Sequence, residues 1–574
     1  MARQFFTGWR AWPALAVSLV ILNASLTFEN VWPTLKIRWG SALSPELALC
    51  VLFLAAAHRW TGRLARRILP AIWIALVAGH YLAVTAPGLY GREFNLYWDS
   101  QHLGNVAAML GRAAPWWLIA SIAGGVVLAA GVAYALARLT TGQVVAAMAA
   151  RGSRLLLGSV AGVVTFLWAA QQLWGGFPAV ATFADPVTPA YARQARFVLA
   201  TLGPGAIAPT LGPSPALDAS LRGLGGADLF VIFVESYGAA AYETPAIAEP
   251  LAESLAGFEA AIDDTGREVV SAYVESPTFG GSSWLAHLSL LSGVDVSDQY
   301  AYTALMASRR GTMVTNFARR GYRTVALLPG MRQPWPEGAF YGFDMIYGRD
   351  LLEYRGPEFG WWSIPDQYAL AKLDALEGDR PARAPLFVVF PTSTTHAPFG
   401  PVAPYQPDWS RVLRQDAYDQ EDVDRAMAAQ PDLTNLRPSY VKAMAYEFVS
   451  LAGYLHEQSD ERAAERILIV IGDHQPPAAV SGAGAPWRVP VHVIGPRVGP
   501  RQQVLRRLVG QGFQQGLAPR LPSIGRMHAL VPMLLDAFDA PPARLADEDY
   551  LDRLNGSRAP ASASASRPPS IGSP

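Results

Sequence analysis

The stretch DLFVIFVESYG, residues 228–238, is a run of apolar residues that ends in a carboxylate, Glu235. The run is apolar on both of its faces, which is typical of a buried strand in a sheet covered by helices. Comparable runs follow at 269–274, 323–328, 386–390, 467–471 and 489–494, and helical patterns lie between them at 250–263, 309–320, 365–376 and 438–458. This alternation predicts an α/β domain with a central, mostly parallel sheet.

The predicted strands are followed by residues that can do chemistry. Ligands of open α/β sheets gather at the carboxyl ends of the strands, so these residues are expected to meet at one edge. They are Glu235 in VESYG, Ser282 and Ser283 after a Gly-Gly turn at a predicted helix start, His396 in PTSTTHAPF, and Asp473 and His474 in GDHQ. Each piece alone is an ordinary cap or turn, but their joint occurrence predicts a site.

The residue types at this edge suit a metal-assisted reaction of an anion. Glutamate, aspartate and histidine are ligands for one divalent cation, with zinc or manganese favoured over magnesium. A serine in the ligand set would have a lowered hydroxyl pKa and become a nucleophile. A helix start beneath that serine favours phosphate or sulfate, and His396 could bind an oxygen or move a proton. The set predicts a covalent phospho-serine.

The amino-terminal part of the chain reads as a membrane region. Hydrophobic residues make up 51% of the 574 residues and charged residues 16%. Apolar runs near 11–28, 43–58, 69–86, 114–137 and 155–174 are each about long enough to cross a bilayer, which predicts five transmembrane helices. The first run could instead be a signal peptide, because Arg3 and Arg10 precede it.

Charge and cysteine content exclude two further classes of protein. The 46 basic and 46 acidic residues argue against a dedicated nucleic-acid binder, and the single cysteine excludes an intrachain disulfide framework. Arginines cluster after the second apolar run, at 59–67, and between the fourth and fifth, at 138–154. By the positive-inside rule these loops are cytoplasmic, and everything after about residue 175 lies outside.

From about residue 228 to 500 the chain resembles the alkaline phosphatase superfamily. Within it, the motifs are similar to those of the membrane-anchored lipoteichoic acid synthase, phosphoglycerol transferase and phosphoethanolamine transferase group. The resemblance implies a metal site of Glu235, Ser283, Asp473 and His474, with Ser283 favoured over Ser282 as nucleophile. It also implies that His396 binds substrate, and the region matching the headgroup site offers Arg332 and Trp335. The implied domains are a five-helix membrane domain at 1–175, a connector at 176–226, a periplasmic catalytic domain at 227–555 and a disordered tail at 556–574.

The expected function is transfer of a phosphorylated headgroup from a membrane phospholipid donor to a periplasmic glycan or lipid acceptor, by a multi-pass protein of the cell inner membrane. Phosphoglycerol is the favoured headgroup. The alternatives are phosphoethanolamine transfer, hydrolysis by a phosphodiesterase or sulfatase, and a non-catalytic envelope protein. The residues after Ser283 lack the proline and arginine of the sulfatase signature. Trp335, Glu337, Trp361 and Trp362 either pack the domain or form a pocket for an amine headgroup.

Overall fold

The computed structural model describes residues 11–31, 34–57, 65–90, 94–101, 104, 116–174, 182–202, 211–331, 335–360, 364–378, 383–432, 434–458, 461 and 466–539. The strands are β1 Glu29–Asn30, β2 Ile37–Arg38, β3 Asp228–Val234, β4 Arg267–Glu275, β5 Arg323–Leu327, β6 Met345–Tyr347, β7 Leu386–Pro391, β8 Arg466–Gly472, β9 Arg488–Pro496 and β10 Gln514–Gln515. The first two pair as an antiparallel ladder, and the other eight form one sheet.

The eight-stranded sheet is mixed and mostly parallel, in the order β10-β4-β9-β8-β3-β7-β5-β6. The central strand β3 runs parallel to both of its neighbours, β7 and β8. Strand β5 runs parallel to β6 and β7, whereas β9 is antiparallel to β8 and β4, and β10 is antiparallel to β4. The carboxyl ends of β3, β7 and β8 therefore lie side by side at one edge.

Helices cover both faces of this sheet, because alternate residues of each central strand point to opposite sides. In β3, Phe230 and Ile232 belong to one hydrophobic core, whereas Val231 and Phe233 belong to the other. The helices are α1 Ala11–Ala24, α2 Pro45–Ala56, α3 Ala65–Tyr90, α4 Leu96–Gln101, α5 Trp116–Ala147, α6 Arg151–Leu173, α7 Thr188–Leu202, α8 Ala240–Glu243, α9 Pro245–Asp264, α10 Ser283–Ser292, α11 Gln299–Met306, α12 Met313–Arg319, α13 Gly338–Tyr341, α14 Arg349–Leu352, α15 Asp366–Leu373, α16 Trp409–Val412, α17 Gln420–Ala428, α18 Arg437–Glu457, α19 Ala478–Ser481, α20 Gln502–Gly510 and α21 Leu530–Asp539. Helices α9 and α18 pack together on the first face, and α10 and α21 on the second.

Three helices are long and apolar enough to cross a membrane, over residues 66–87, 116–147 and 151–173. Two further apolar helices, α1 and α2, have only 14 and 12 residues, which is short for a bilayer that needs about 20. All five fall on the apolar runs of the sequence. The membrane character of this region is therefore supported, while the number of five crossings stays a prediction.

All six strands predicted after residue 228 are present, within two residues at each end. Strands β6 and β10 were not predicted, because three and two residues are too few to show an alternating pattern. The predicted helix at 309–320 begins only at Met313, where the Thr312 side chain accepts a hydrogen bond from the Thr315 backbone nitrogen. The disordered tail expected at 556–574 lies outside the described residues, and the domain boundaries stay predictions.

Candidate metal centre

The turns after β3 and β8 approach each other so closely that each requires a glycine. A Cβ atom on Gly472 would lie 1.7 Å from the carbonyl oxygen of Tyr237, and one on Gly238 would lie 1.9 Å from the side-chain oxygen of Gln475. Real Cβ atoms do not approach other atoms so closely, so the two turns can nest only because these positions carry no side chain. This contact brings the residues that follow the two strands together.

Three buried side chains meet where these turns nest. Glu235, Asp473 and His474 each offer a ligand atom, and these atoms all lie within 4.8 Å of one another. His474 Nδ1 is 2.7 Å from the backbone oxygen of Gln475, so this nitrogen is the donor and carries the proton. Nε2 is 3.2 Å from Glu235 Oε1, and once it carries no proton these two atoms can share a cation.

Asp473 is held by one oxygen and leaves the other without a hydrogen-bond partner. Its Oδ1 accepts hydrogen bonds from the backbone nitrogens of Ser236, at 2.8 Å, and His474, at 2.6 Å. Its Oδ2 is buried and has no hydrogen-bond partner. A buried carboxylate oxygen without a partner is costly, so this donor set fits a divalent cation. Mixed oxygen and nitrogen ligands suit zinc and manganese.

Burial and mutual charge act against each other within this group. Burial opposes the charged imidazole, but the carboxylates of Asp473 and Glu235 outweigh it and raise the pKa of His474 to about 9. Burial and the charge of Glu235 raise the pKa of Asp473. Burial also acts against the charged form of Glu235, yet His474 and His396 hold its pKa well below the usual range. In the metal-free protein, the protonated imidazole of His474 supplies the positive charge that compensates the two carboxylates.

Ser283 brings a hydroxyl into the same group. It is the first residue of α10, and its Oγ donates a hydrogen bond to Glu235 Oε2 at 2.8 Å. The same oxygen is 3.1 Å from His474 Nε2. Ser282 precedes it in the left-handed backbone region, with φ of 63°, a strained position typical of functional sites. Both serines line the cleft, and Ser283 is the one that contacts the ligand group.

The loop after β7 carries His396 to this edge. Thr392 Oγ1 accepts a hydrogen bond from the backbone nitrogen of Glu235 at 3.1 Å, which joins the loop to the turn after β3. The buried carboxylate of Asp366 accepts from the backbone nitrogens of Ser393, at 2.9 Å, and Thr394, at 2.7 Å. The loop is therefore held on both sides, and His396 lines the cleft beside Glu235.

The cleft above these residues has a polar floor and mainly apolar walls. It encloses about 1150 Å³, including the solvent space at its mouth. Trp335 forms part of the wall and packs against Tyr341, with ring centroids 5.2 Å apart. Arg332, which was expected in the headgroup region, lies outside the described residues, as do Trp361 and Trp362. Glu337 lines a different cavity, with Arg309 and Arg310.

Three residues of the site were not predicted from the sequence, namely His287, which lines the cleft, and Asp366 and Thr392, which hold its loops. His287 lies four residues after Ser283, so the helical period could have placed both side chains on one face of the predicted helix. Asp366 and Thr392 act on backbone atoms of neighbouring segments. Nothing in the local sequence marks such contacts.

No family model matches the chain, and no curated protein matches its sequence. Several solved structures are similar to it. The lipoteichoic acid synthase LtaP from Listeria monocytogenes is 14% identical, with a TM-score of 0.34, and the match covers 56% of this chain and 78% of that one. A protein of the alkaline phosphatase superfamily from Vibrio parahaemolyticus is 20% identical, with a TM-score of 0.35 and coverages of 57% and 74%.

A third similar structure is the phosphoglycerol transferase GacH from Streptococcus pyogenes, in complex with sn-glycerol-1-phosphate. It is 12% identical, with a TM-score of 0.34 and coverages of 59% and 82%. These identities and TM-scores are too low to transfer an activity to this chain, so its chemistry has to be argued from its own residues. These three solved structures are named for the superfamily and the transferase group that the motifs of this chain resemble, and another similar structure is a sulfatase.

Proposed function

We propose that the protein is a metal-dependent phosphotransferase that forms a covalent phosphodiester on Ser283. The donor is a membrane phospholipid, and the acceptor is a hydroxyl of a periplasmic glycan or lipid. The observation that carries this proposal is the position of Ser283 Oγ, 2.8 Å from Glu235 Oε2 and 3.1 Å from His474 Nε2. A serine with a purely structural role at a helix start would not have to contact two buried side chains of the candidate metal site.

The residues divide the work as follows. Glu235, Asp473, His474 and Ser283 would hold a divalent cation, which when bound lowers the pKa of the serine hydroxyl and offsets phosphate charge. Glu235 Oε2 accepts the hydrogen of Ser283 and so orients the hydroxyl before reaction. The backbone amides at the start of α10 and the ring of His396 would bind phosphoryl oxygens, and His396 would also move a proton.

The reaction has two displacements at phosphorus. In the first, Ser283 Oγ gives up its proton and forms a bond to phosphorus, the bond from phosphorus to the diacylglycerol oxygen breaks, and that oxygen takes up a proton, so that diacylglycerol leaves as the alcohol. In the second, an acceptor hydroxyl loses its proton and attacks the same phosphorus, and Ser283 leaves as its hydroxyl. No oxidant or further reactant is needed. Water in place of the acceptor would make the protein a phosphodiesterase.

The walls of the cleft favour phosphoglycerol over phosphoethanolamine. Among the described residues that line the cleft, Glu235 is the one carboxylate, and it belongs to the metal ligands. A cationic amine headgroup would therefore meet no second carboxylate among the described lining residues, and Glu337 lines another cavity. The uncharged glycerol group carries no such requirement, and the apolar walls offer surface to the adjoining lipid.

Mass spectrometry of the peptide that contains Ser282 and Ser283 tests the proposal. The full-length protein is incubated with Mn²⁺ or Zn²⁺ and bacterial phospholipids, and we expect a phosphoglycerol adduct on Ser283. The variant Ser283→Ala should lose both adduct and diacylglycerol release, whereas Ser282→Ala serves as the matched control and should keep them. An adduct that persists in Ser283→Ala would overturn the assignment. Diacylglycerol release that does not depend on an acceptor would identify a hydrolase.

A further inference from the structure

His287 lies beside the metal centre and has no role in the function proposed above. It is one helical turn after Ser283 in α10, so the two side chains share a face of the helix. Its ring lines the cleft, and 17% of the side chain is exposed. The ring also packs against Phe233 of β3, with ring centroids 4.3 Å apart.

Two buried polar atoms without partners face each other at this point. His287 Nε2 and Asp473 Oδ2 are 3.8 Å apart, and neither has a hydrogen-bond partner. This separation is too long for a hydrogen bond, which needs about 2.7–3.2 Å between nitrogen and oxygen. A shift of about 1 Å by either side chain would bring the two atoms within hydrogen-bond distance.

The lone pairs of Asp473 can be assigned one by one. A carboxylate has about four acceptor positions. Oδ1 uses two of them on the backbone nitrogens of Ser236 and His474. Oδ2 retains two, which allows it to bind a cation with one and to accept a hydrogen bond with the other. His287 Nε2 is the neighbour placed to donate that bond.

We infer that His287 is a positioning residue that donates a hydrogen bond to Asp473 Oδ2 when the metal is bound. The inference rests on the metal site of the proposed function. A ligand carboxylate fixed on both oxygens keeps its orientation towards the cation, and loss of such an outer partner typically weakens metal affinity about 10- to 100-fold. His287 itself is absent from the group of mutually close ligand atoms, which contains Glu235, Asp473 and His474.

Metal titration of the full-length protein in detergent tests the inference without any substrate. The protein is stripped with a chelator, and Mn²⁺ and Zn²⁺ affinities are measured by calorimetry for wild type, His287→Leu and His287→Gln. We expect about 10- to 100-fold weaker binding in His287→Leu. Affinity close to wild type is expected in His287→Gln, because the amide nitrogen can still donate to Asp473. The matched control is His528→Gln, which alters a histidine beside Asp295 in another cavity and should change nothing.

Thermal melting of each metal-free variant shows whether it is folded, and the metal-induced rise in melting temperature gives a second measure of binding. Unchanged affinity in His287→Leu would overturn the inference. Equal losses in His287→Leu and His287→Gln would also overturn it, because they would make the imidazole a ligand itself. Failure of the wild type to bind either metal would instead reject the proposed function.

Discussion

Glu235 and Asp473 place two carboxylates in a buried space, where the imidazole Nε2 of His474 lies 3.2 Å from the first and 3.8 Å from the second. Desolvation alone would neutralise such carboxylates, yet the pKa of Glu235 stays low because the imidazole beside it is charged. The proton on His474 therefore occupies the role that a metal ion would fill. Metal and proton compete for the same nitrogen, and this competition can be measured.

We expect metal affinity to increase with pH. The pKa of His474 is raised to about 9 in the metal-free protein, so at neutral pH a cation can bind Nε2 only if the proton leaves. Apparent affinity should then rise by up to about tenfold per pH unit and level off above the pKa. Calorimetry between about pH 6 and pH 8, in buffers of different ionisation enthalpy, measures both affinity and proton release. A flat affinity profile without proton release would contradict a metal at His474.

The raised pKa of His474 also predicts how the stability of the metal-free protein changes with pH. Its raised pKa means that the charged imidazole stabilises the metal-free protein fully below its unfolded-state pKa, near 6.5, and that this stabilisation disappears as pH rises through about 9. Bound metal replaces the proton. The loaded protein should therefore not lose this contribution over the same range.

At the scale of the elements, the site depends on how closely the turns after β3 and β8 nest. Gly472→Ala would place a methyl group 1.7 Å from the backbone oxygen of Tyr237, so the two turns would have to separate. Such overpacking costs about 1–3 kcal/mol or more. We expect a lower melting temperature and a loss of metal binding together, because Glu235 and Asp473 would move apart. Thermal melting and metal titration measure the two effects.

Gly257→Ala is the control for this substitution. Gly257 lies inside α9, and a Cβ there would meet nothing within 4 Å. Alanine in a helix interior should raise stability by about 0.5–1 kcal/mol and leave metal affinity unchanged. If Gly472→Ala bound metal as tightly as Gly257→Ala, the nesting of the two turns would not be what forms the site.

The central strands and the site residues at their ends could be predicted from the sequence, because long apolar runs mark the strands. β3, β7 and β8 are buried runs, and their ends alone indicated Glu235, His396 and Asp473. The partner contacts could not be predicted, because they depend on which strands become neighbours. Thr392 meets the backbone of Glu235 only because β7 pairs with β3, and Asp366 reaches Ser393 of the same loop from a helix 27 residues earlier in the chain.

At the scale of the whole molecule, the arrangement proposed for catalysis requires the sheet domain and the basic loops to lie on opposite sides of the membrane. Helix α6 has 23 apolar-rich residues and is long enough to span the bilayer. It separates the arginines near residue 151 from the sheet domain that follows. The hairpin of β1 and β2 lies on the same side as the sheet domain if the short helices α1 and α2 both cross the membrane.

Cysteine labelling in a Cys50→Ser background measures this arrangement, because Cys50 is the single native thiol. Single cysteines are placed at three exposed positions, Lys36, Arg151 and Val498. An impermeant maleimide added to spheroplasts should label Val498→Cys and Lys36→Cys, whereas Arg151→Cys should react only after detergent is added. Labelling of Arg151→Cys together with Val498→Cys would show that α6 does not cross. Protection of Lys36→Cys alone would reduce the number of crossings, because α1 and α2 would then fail to span, and the donor lipid would still meet Ser283 from the outer side.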